Sequence, residues 1–170
     1  PLVSSSAASD VYKRQGMLNA MQGLQEVHDG GTVPLMLPFK RHLRLTAEIM
    51  QERSTVFQLL TANRSHRMMD GDALHCTLRT FDVLGFATAL GLSRPALMTL
   101  GLSSVLDQLT ANQGAEEMFE VISKIHSLGD MTPAVLMTLW DLELIRENGK
   151  GGKLAQIINV VDHYVRLTHE

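Results

Sequence analysis

The sequence holds a single cysteine in 170 residues, Cys76, so no internal disulfide can form and no zinc site built on several thiolates is open to it. That lone thiol is expected to sit on a helix as a small buried apolar residue, in the reducing setting of a cytoplasm. Proline is scarce, at five residues, and aromatics make up only 5%. Leu, Met and Ala take their place, a balance that favours helices over sheets. Nowhere do about eighteen apolar residues run together, so no membrane-spanning helix is expected. A dominant charge is lacking as well. The 15 basic and 18 acidic residues give a net charge of −3, which does not make the basic surface of a nucleic-acid binder. The small cluster Lys40-Arg41-His42-Arg44 reads as a solvated helix start. What the chain does have is 45% apolar residues, too many for a disordered polymer and ordinary for one globular domain of this length.

The opening stretch stands apart. Residues 1–15 contain neither the apolar core of a secretory signal nor an Arg-rich amphipathic pattern. Residues 5–15, Ser-Ser-Ala-Ala-Ser-Asp-Val-Tyr-Lys-Arg-Gln, match the translation of an adaptor used in transposon-based sequencing libraries. Residues 1–15 are therefore expected to be a non-native, disordered scar, outside the fold. On the same reasoning the natural start is expected to be missing and the chain to be cut short at its C-terminal end. Setting aside Asp10, Lys13 and Arg14 leaves 13 basic against 17 acidic residues.

Beyond the scar the apolar residues recur at helical spacing. Residues 16–38 form a weakly helical N-terminal segment: Leu18, Met21 and Leu24 are three apart, Asp29-Gly30-Gly31-Thr32 breaks the pattern, and Pro34 and Pro38 bracket Leu35-Met36-Leu37. A long helix is predicted over 40–63, with Leu43, Ala47, Met50, Val56, Leu59 and Leu60 on its stripe. The next runs over 72–90, with Asp72 as a cap and Gly91 as its stop. It is apolar round more than half its circumference, which predicts a central place in the fold. Ser93 and Pro95 open a helix to about Leu109, and 115–128 forms an amphipathic one through Met118, Val121, Ile122 and Ile125. Thr132-Pro133 starts another, which ends near Asn148. After the glycine-rich turn 149–152 the last helix, 153–168, buries Leu154, Ile157, Ile158, Val161 and Val165. The pattern predicts an all-α domain, a compact bundle of six to seven helices over 39–170.

Several chemistries are absent from the pattern. Asp29-Gly30-Gly31-Thr32 and Gly149-Lys150-Gly151-Gly152 lack the strand and helix that flank a phosphate-cradling loop. No Gly-x-Ser-x-Gly nucleophile elbow occurs. The methionines, Met68-Met69 included, read as core fillers.

One stretch resembles a known family. Asp72-Ala-Leu-His75, followed by an apolar helix that ends in Leu90-Gly91-Leu92-Ser93, is similar to the opening helix of HD-GYP domains. The helix after it resembles the one carrying the His-Asp pair of that superfamily: Asp107 matches the Asp, while Leu106 stands where the His belongs. The segment from Glu116 to His126 is similar to the family's approach to a further His. The stretch Ile157-Ile158-Asn159-Val160-Val161-Asp162 resembles the helix that carries the last Asp. The resemblance spans about residues 55–168 and implies an HD-like bundle. The family's His-His-Glu and Gly-Tyr-Pro elements have no counterpart.

By this resemblance His75, Asp107, His126 and Asp162 are candidate metal ligands, the remnant of a site in which iron or manganese activates a bridging water against a phosphodiester. Each also has a plain structural reading. His75 can cap or pair locally, His126 can lie half-buried on a helix, and Asp162, beside His163, can face solvent. Asp107 near a helix C-terminus opposes the macrodipole, which hints at a retained role. With Leu106 and without the His-His-Glu stretch, the expected function is that of a degenerate HD-GYP-like bacterial signalling domain. It would be catalytically inactive, hold no cofactor, and act through a protein partner or as a homodimer. Two alternatives stand beside it. One is a metal-dependent phosphohydrolase acting on cyclic di-GMP with a reduced site; the other is an unrelated helical interaction domain. Neither nucleic acid nor membrane insertion is expected, and the location is cytoplasmic.

Overall fold

The computed structural model describes residues 36–52, 72–110 and 132–169, all built from helices and the turns that join them. The segments expected over residues 1–35 and 53–71 and the helix expected over 115–128 lie outside the described residues. Five helices follow in order: α1 (Met36–Glu52), α2 (Asp72–Ala89), α3 (Arg94–Thr110), α4 (Pro133–Asn148) and α5 (Lys153–His169). No strand occurs among the described residues, and none of their helices is long and apolar enough to cross a membrane.

The helix ends follow from local chemistry. Helix α2 stops in a Schellman arrangement: Leu92 N–H donates to Ala87 O at 3.1 Å, and Gly91 N–H to Thr88 O at 2.9 Å. Gly91 has φ +72°, a left-handed conformation that a Cβ would disfavour. Ser93 then caps α3, its carbonyl accepting from Leu97 N–H at 3.0 Å. Thr132 caps α4, its hydroxyl accepting from Val135 N–H at 3.4 Å, with Pro133 in the first turn. Gly149, at φ +73°, ends α4. Helix α1 differs from the sequence reading at its start. It begins at Met36, so Pro38 falls inside its first turn, where the missing N–H has no intrahelical partner to lose.

Helix α3, rather than α2, is the hub. It packs against α1, α2, α4 and α5, and every residue of 100–107 is buried. Gly101 permits the closest of these approaches: a Cβ there would lie 2.5 Å from Leu43 Cδ1 of α1. Around α3 the core gathers Leu43, Ala47 and Met50 of α1, Phe81 and Leu84 of α2, Leu139 and Leu142 of α4, and Ile158 and Val161 of α5. A surface ion pair of Arg94 with Glu48, which also pairs with Arg44 at 3.2 Å, ties α1 to the start of α3. The short turn over 90–93 folds α3 back on α2. Helix α5 also runs opposite to α2, because Asp162 reaches Arg79 while Leu154 and Ile157 sit beside Phe86 and Leu90.

Candidate functional site

Helices α2, α3 and α5 each carry one charge on an otherwise apolar inner face: Arg79, Asp107 and Asp162. A buried charge is tolerated only when it is paired and its hydrogen-bonding atoms are used. These three meet. The Arg79 side chain is only 2% exposed, as befits a group enclosed by three helices. Its Nη2 donates to Asp107 Oδ2 at 2.8 Å and to Asp162 Oδ2 at 2.5 Å, its Nε donates to Asp162 Oδ1, and its Nη1 donates to the Ser104 carbonyl at 2.8 Å. Asp162 is therefore gripped by two donors along one edge of the guanidinium, Nε and Nη2, the geometry in which arginine outperforms lysine.

A second arginine completes the network from α4. Arg146 Nη2 donates to Asp107 Oδ1 at 2.5 Å, and Arg146 Nη1 donates to Glu143. Asp107, close to the negative end of α3, thus sits between two guanidinium groups, and these offset the unfavourable helix dipole. Electrostatics work in one direction throughout. Burial by itself would lower the pKa of Arg79, but the hydrogen bonding to Asp162 and the charges of Asp107 and Asp162 outweigh it and hold the group above the ordinary arginine value. Arg146 is raised in the same way against its own burial, by Asp107 first and Glu143 second.

The four sequence candidates fare differently. Asp107 and Asp162, 55 positions apart in the chain, are brought together on Arg79. His75 stands four residues before Arg79 on α2, hence one turn N-terminal on the same side of the helix; its side chain lies outside the described residues. His126 lies outside them entirely. Leu106, at the position where the family carries a His, is fully buried within the apolar core.

Arg79 is the residue that sequence reasoning missed. The signal was present: a single arginine within an apolar helix needs carboxylates, and two aspartates occupy apolar helices elsewhere in the chain. Among the described residues no three His, Cys, Asp or Glu side chains gather as a metal-holding group. Among the described side chains the candidate donors brought together are two carboxylates, both bonded to arginine. What the arrangement accomplishes is ionic cross-linking of four helices. No family model matches the chain, and no curated protein or solved structure matches it either.

Proposed function

We propose that this chain is a degenerate HD-GYP-like domain of a bacterial signalling protein, without phosphodiesterase activity, and that it works through protein contacts in the cytoplasm. One observation carries the reading: the Arg79 guanidinium binds Asp107 and Asp162 together. In the family these two positions would hold a divalent metal. Here a cation belonging to the chain itself takes up their lone pairs, and a metal ion beside it would meet like-charge repulsion in a buried setting. The remnant keeps its structural purpose, joining α3 to α5, while its hydrolytic purpose is gone.

The convergence of Asp107 and Asp162 also weighs against an unrelated helical domain, in which these residues would scatter over the surface. It keeps a second reading in view, a metal-dependent phosphohydrolase acting on cyclic di-GMP, which would require Arg79 to swing away from both carboxylates. The six- or seven-helix, HD-like bundle belongs to the same proposal.

The test is metal content. The purified 170-residue chain is analysed for iron, manganese and zinc by mass spectrometry, before and after reconstitution. Sub-stoichiometric metal and no hydrolysis of cyclic di-GMP are expected. Stoichiometric metal that disappears in His75→Ala and Asp162→Ala, accompanied by hydrolysis of the dinucleotide, would overturn the proposal.

A further inference from the structure

Helix α5 is apolar on two faces. The inner one carries Ala155, Ile158, Val161 and Val165, all buried. The outer one carries Ile157, Val160, Tyr164 and Leu167, spaced three, four and three residues apart, the alternation by which one helix lays a seam against another. Along this seam Val160 is 52% exposed, Tyr164 55% and Leu167 78%. A soluble helix gains nothing from a second apolar stripe unless something covers it. Beside the first half of the seam lies a groove of about 580 Å³, walled on its far side by Phe86, Leu90 and Leu92.

We propose that this face is a two-fold interface and that its occupant is a second copy of this chain, with the two α5 helices antiparallel and crossing near Val160. The inference rests on the interaction reading above and supplies its partner. Its first argument is self-complementarity. The groove lies beside residues 153–160, and the protruding Tyr164 and Leu167 follow on the same helix. Antiparallel pairing about Val160 sets Tyr164 of one copy opposite Gln156 of the other and Leu167 opposite Lys153, and both Gln156 and Lys153 line the groove. A half-turn about Val160 lays each copy's Tyr164 and Leu167 into the other's groove, so the contact closes at two.

The second argument is area. The exposed parts of Phe86, Leu90, Val160, Tyr164 and Leu167 amount to roughly 500–600 Å² per copy, and the groove rim brings this towards the ~800 Å² per partner of a standard stable interface. The polar ends of the seam agree with such packing. Lys153, at the groove's edge, can lay its methylene stem along the second copy's Leu167 and keep its ammonium in water.

Sedimentation equilibrium of the full chain over a range of concentrations tests this, with Val160→Glu, Leu167→Glu and, as a control on the other exposed apolar face, Trp140→Glu. The expected mass at about 50 µM and above is twice the 18.8 kDa of the chain. Val160→Glu and Leu167→Glu should weaken association at least about tenfold while helicity by circular dichroism is unchanged, and Trp140→Glu should leave it intact. Independently, Val160→Cys in a Cys76→Ser background should form a copy-to-copy disulfide on oxidation, because residues at a two-fold axis face one another. A monomer up to about 100 µM overturns the proposal, as does a dimer that Trp140→Glu breaks and Val160→Glu spares. A monomer whose α5 face resists hydrogen exchange overturns it too, in favour of another occupant. None of these outcomes touches the non-catalytic reading, which stands or falls on metal content and cyclic di-GMP hydrolysis.

Discussion

The two faces of α5 reverse the usual rule. Inward, where apolar side chains are expected, Asp162 meets Arg79 in a buried ionic network. Outward, where polar side chains are expected, Val160, Tyr164 and Leu167 stand exposed. The inner anomaly is satisfied within the chain, since each carboxylate has its guanidinium and the guanidinium donates to three acceptors. On the outer side Val160 and Leu167 keep more than half of their surface exposed. A satisfied anomaly speaks to the architecture of one molecule, and an unsatisfied one speaks to what the molecule meets. That is why the inner network serves here as evidence of lost chemistry and the outer face as evidence of contact.

The contrast should appear first in stability. Arg79→Met would strip Asp162 of its guanidinium and leave Asp107 with Arg146 alone, and is expected to cost about 3–5 kcal/mol, read from urea denaturation. Adding Asp107→Leu and Asp162→Leu should recover most of that loss, because the buried charges are then replaced by apolar groups and the remaining Arg146, partly exposed, keeps Glu143 as its partner. A triple variant as unstable as the single one would mean that the network does more than neutralise itself. The pH dependence has a definite sign. Because the Arg79 pKa is raised on folding, its contribution is complete below the unfolded value and fades only as pH climbs through the still higher folded one. The gap between wild type and Arg79→Met should therefore stay constant within about 0.5 kcal/mol from about pH 7 to about pH 10. A gap that narrows across that interval would contradict the assignment.

Next in size comes the ranking of the two aspartates. Asp107, almost fully buried and held by two arginines, should lose about 2–3 kcal/mol as Asp107→Asn. Asp162, at 19% side-chain exposure, should lose about 1–2 kcal/mol as Asp162→Asn. Equal losses in parallel denaturation curves would show that water reaches both alike. Gly101→Ala should cost about 1–2 kcal/mol: the new methyl crowds Leu43, and the better helix propensity offsets only part of the strain. A companion Leu43→Val should relieve some of it, and a thermal melt that shows no relief would place the strain elsewhere. Smallest is Val160→Ser, expected within about 0.5 kcal/mol of wild type in dilute solution. A clear loss of monomer stability there would mean that the outer face belongs to the fold after all.

Much of the local architecture was legible. Gly91 with Ser93 and Thr132-Pro133 with Gly149 mark helix ends that the structure places within a residue or two, since caps act over only a few residues. The candidate site was half legible. Asp107 and Asp162 stood out through family resemblance, while Arg79 is marked only by its place in an apolar helix, and which carboxylates it meets depends on how distant helices pack. Leu106 was read as a missing ligand, and its burial in the core is what an apolar side chain in that place would do. Helix α2, broadly apolar in sequence, packs against α1, α3 and α5, and α3 meets α4 as well.

The sequence by itself determined that this chain makes helices and where α2, α3, α4 and α5 begin and end, because backbone conformation, capping and apolar period are settled by neighbours a few residues apart. Only the tertiary structure decided which charges meet and which apolar stripe stays bare. Arg79 finds Asp107 and Asp162 across 28 and 83 positions of chain. Helix α5 has apolar residues to spare on both faces, and only the packing of α2, α3 and α4 against it selects the face that is covered.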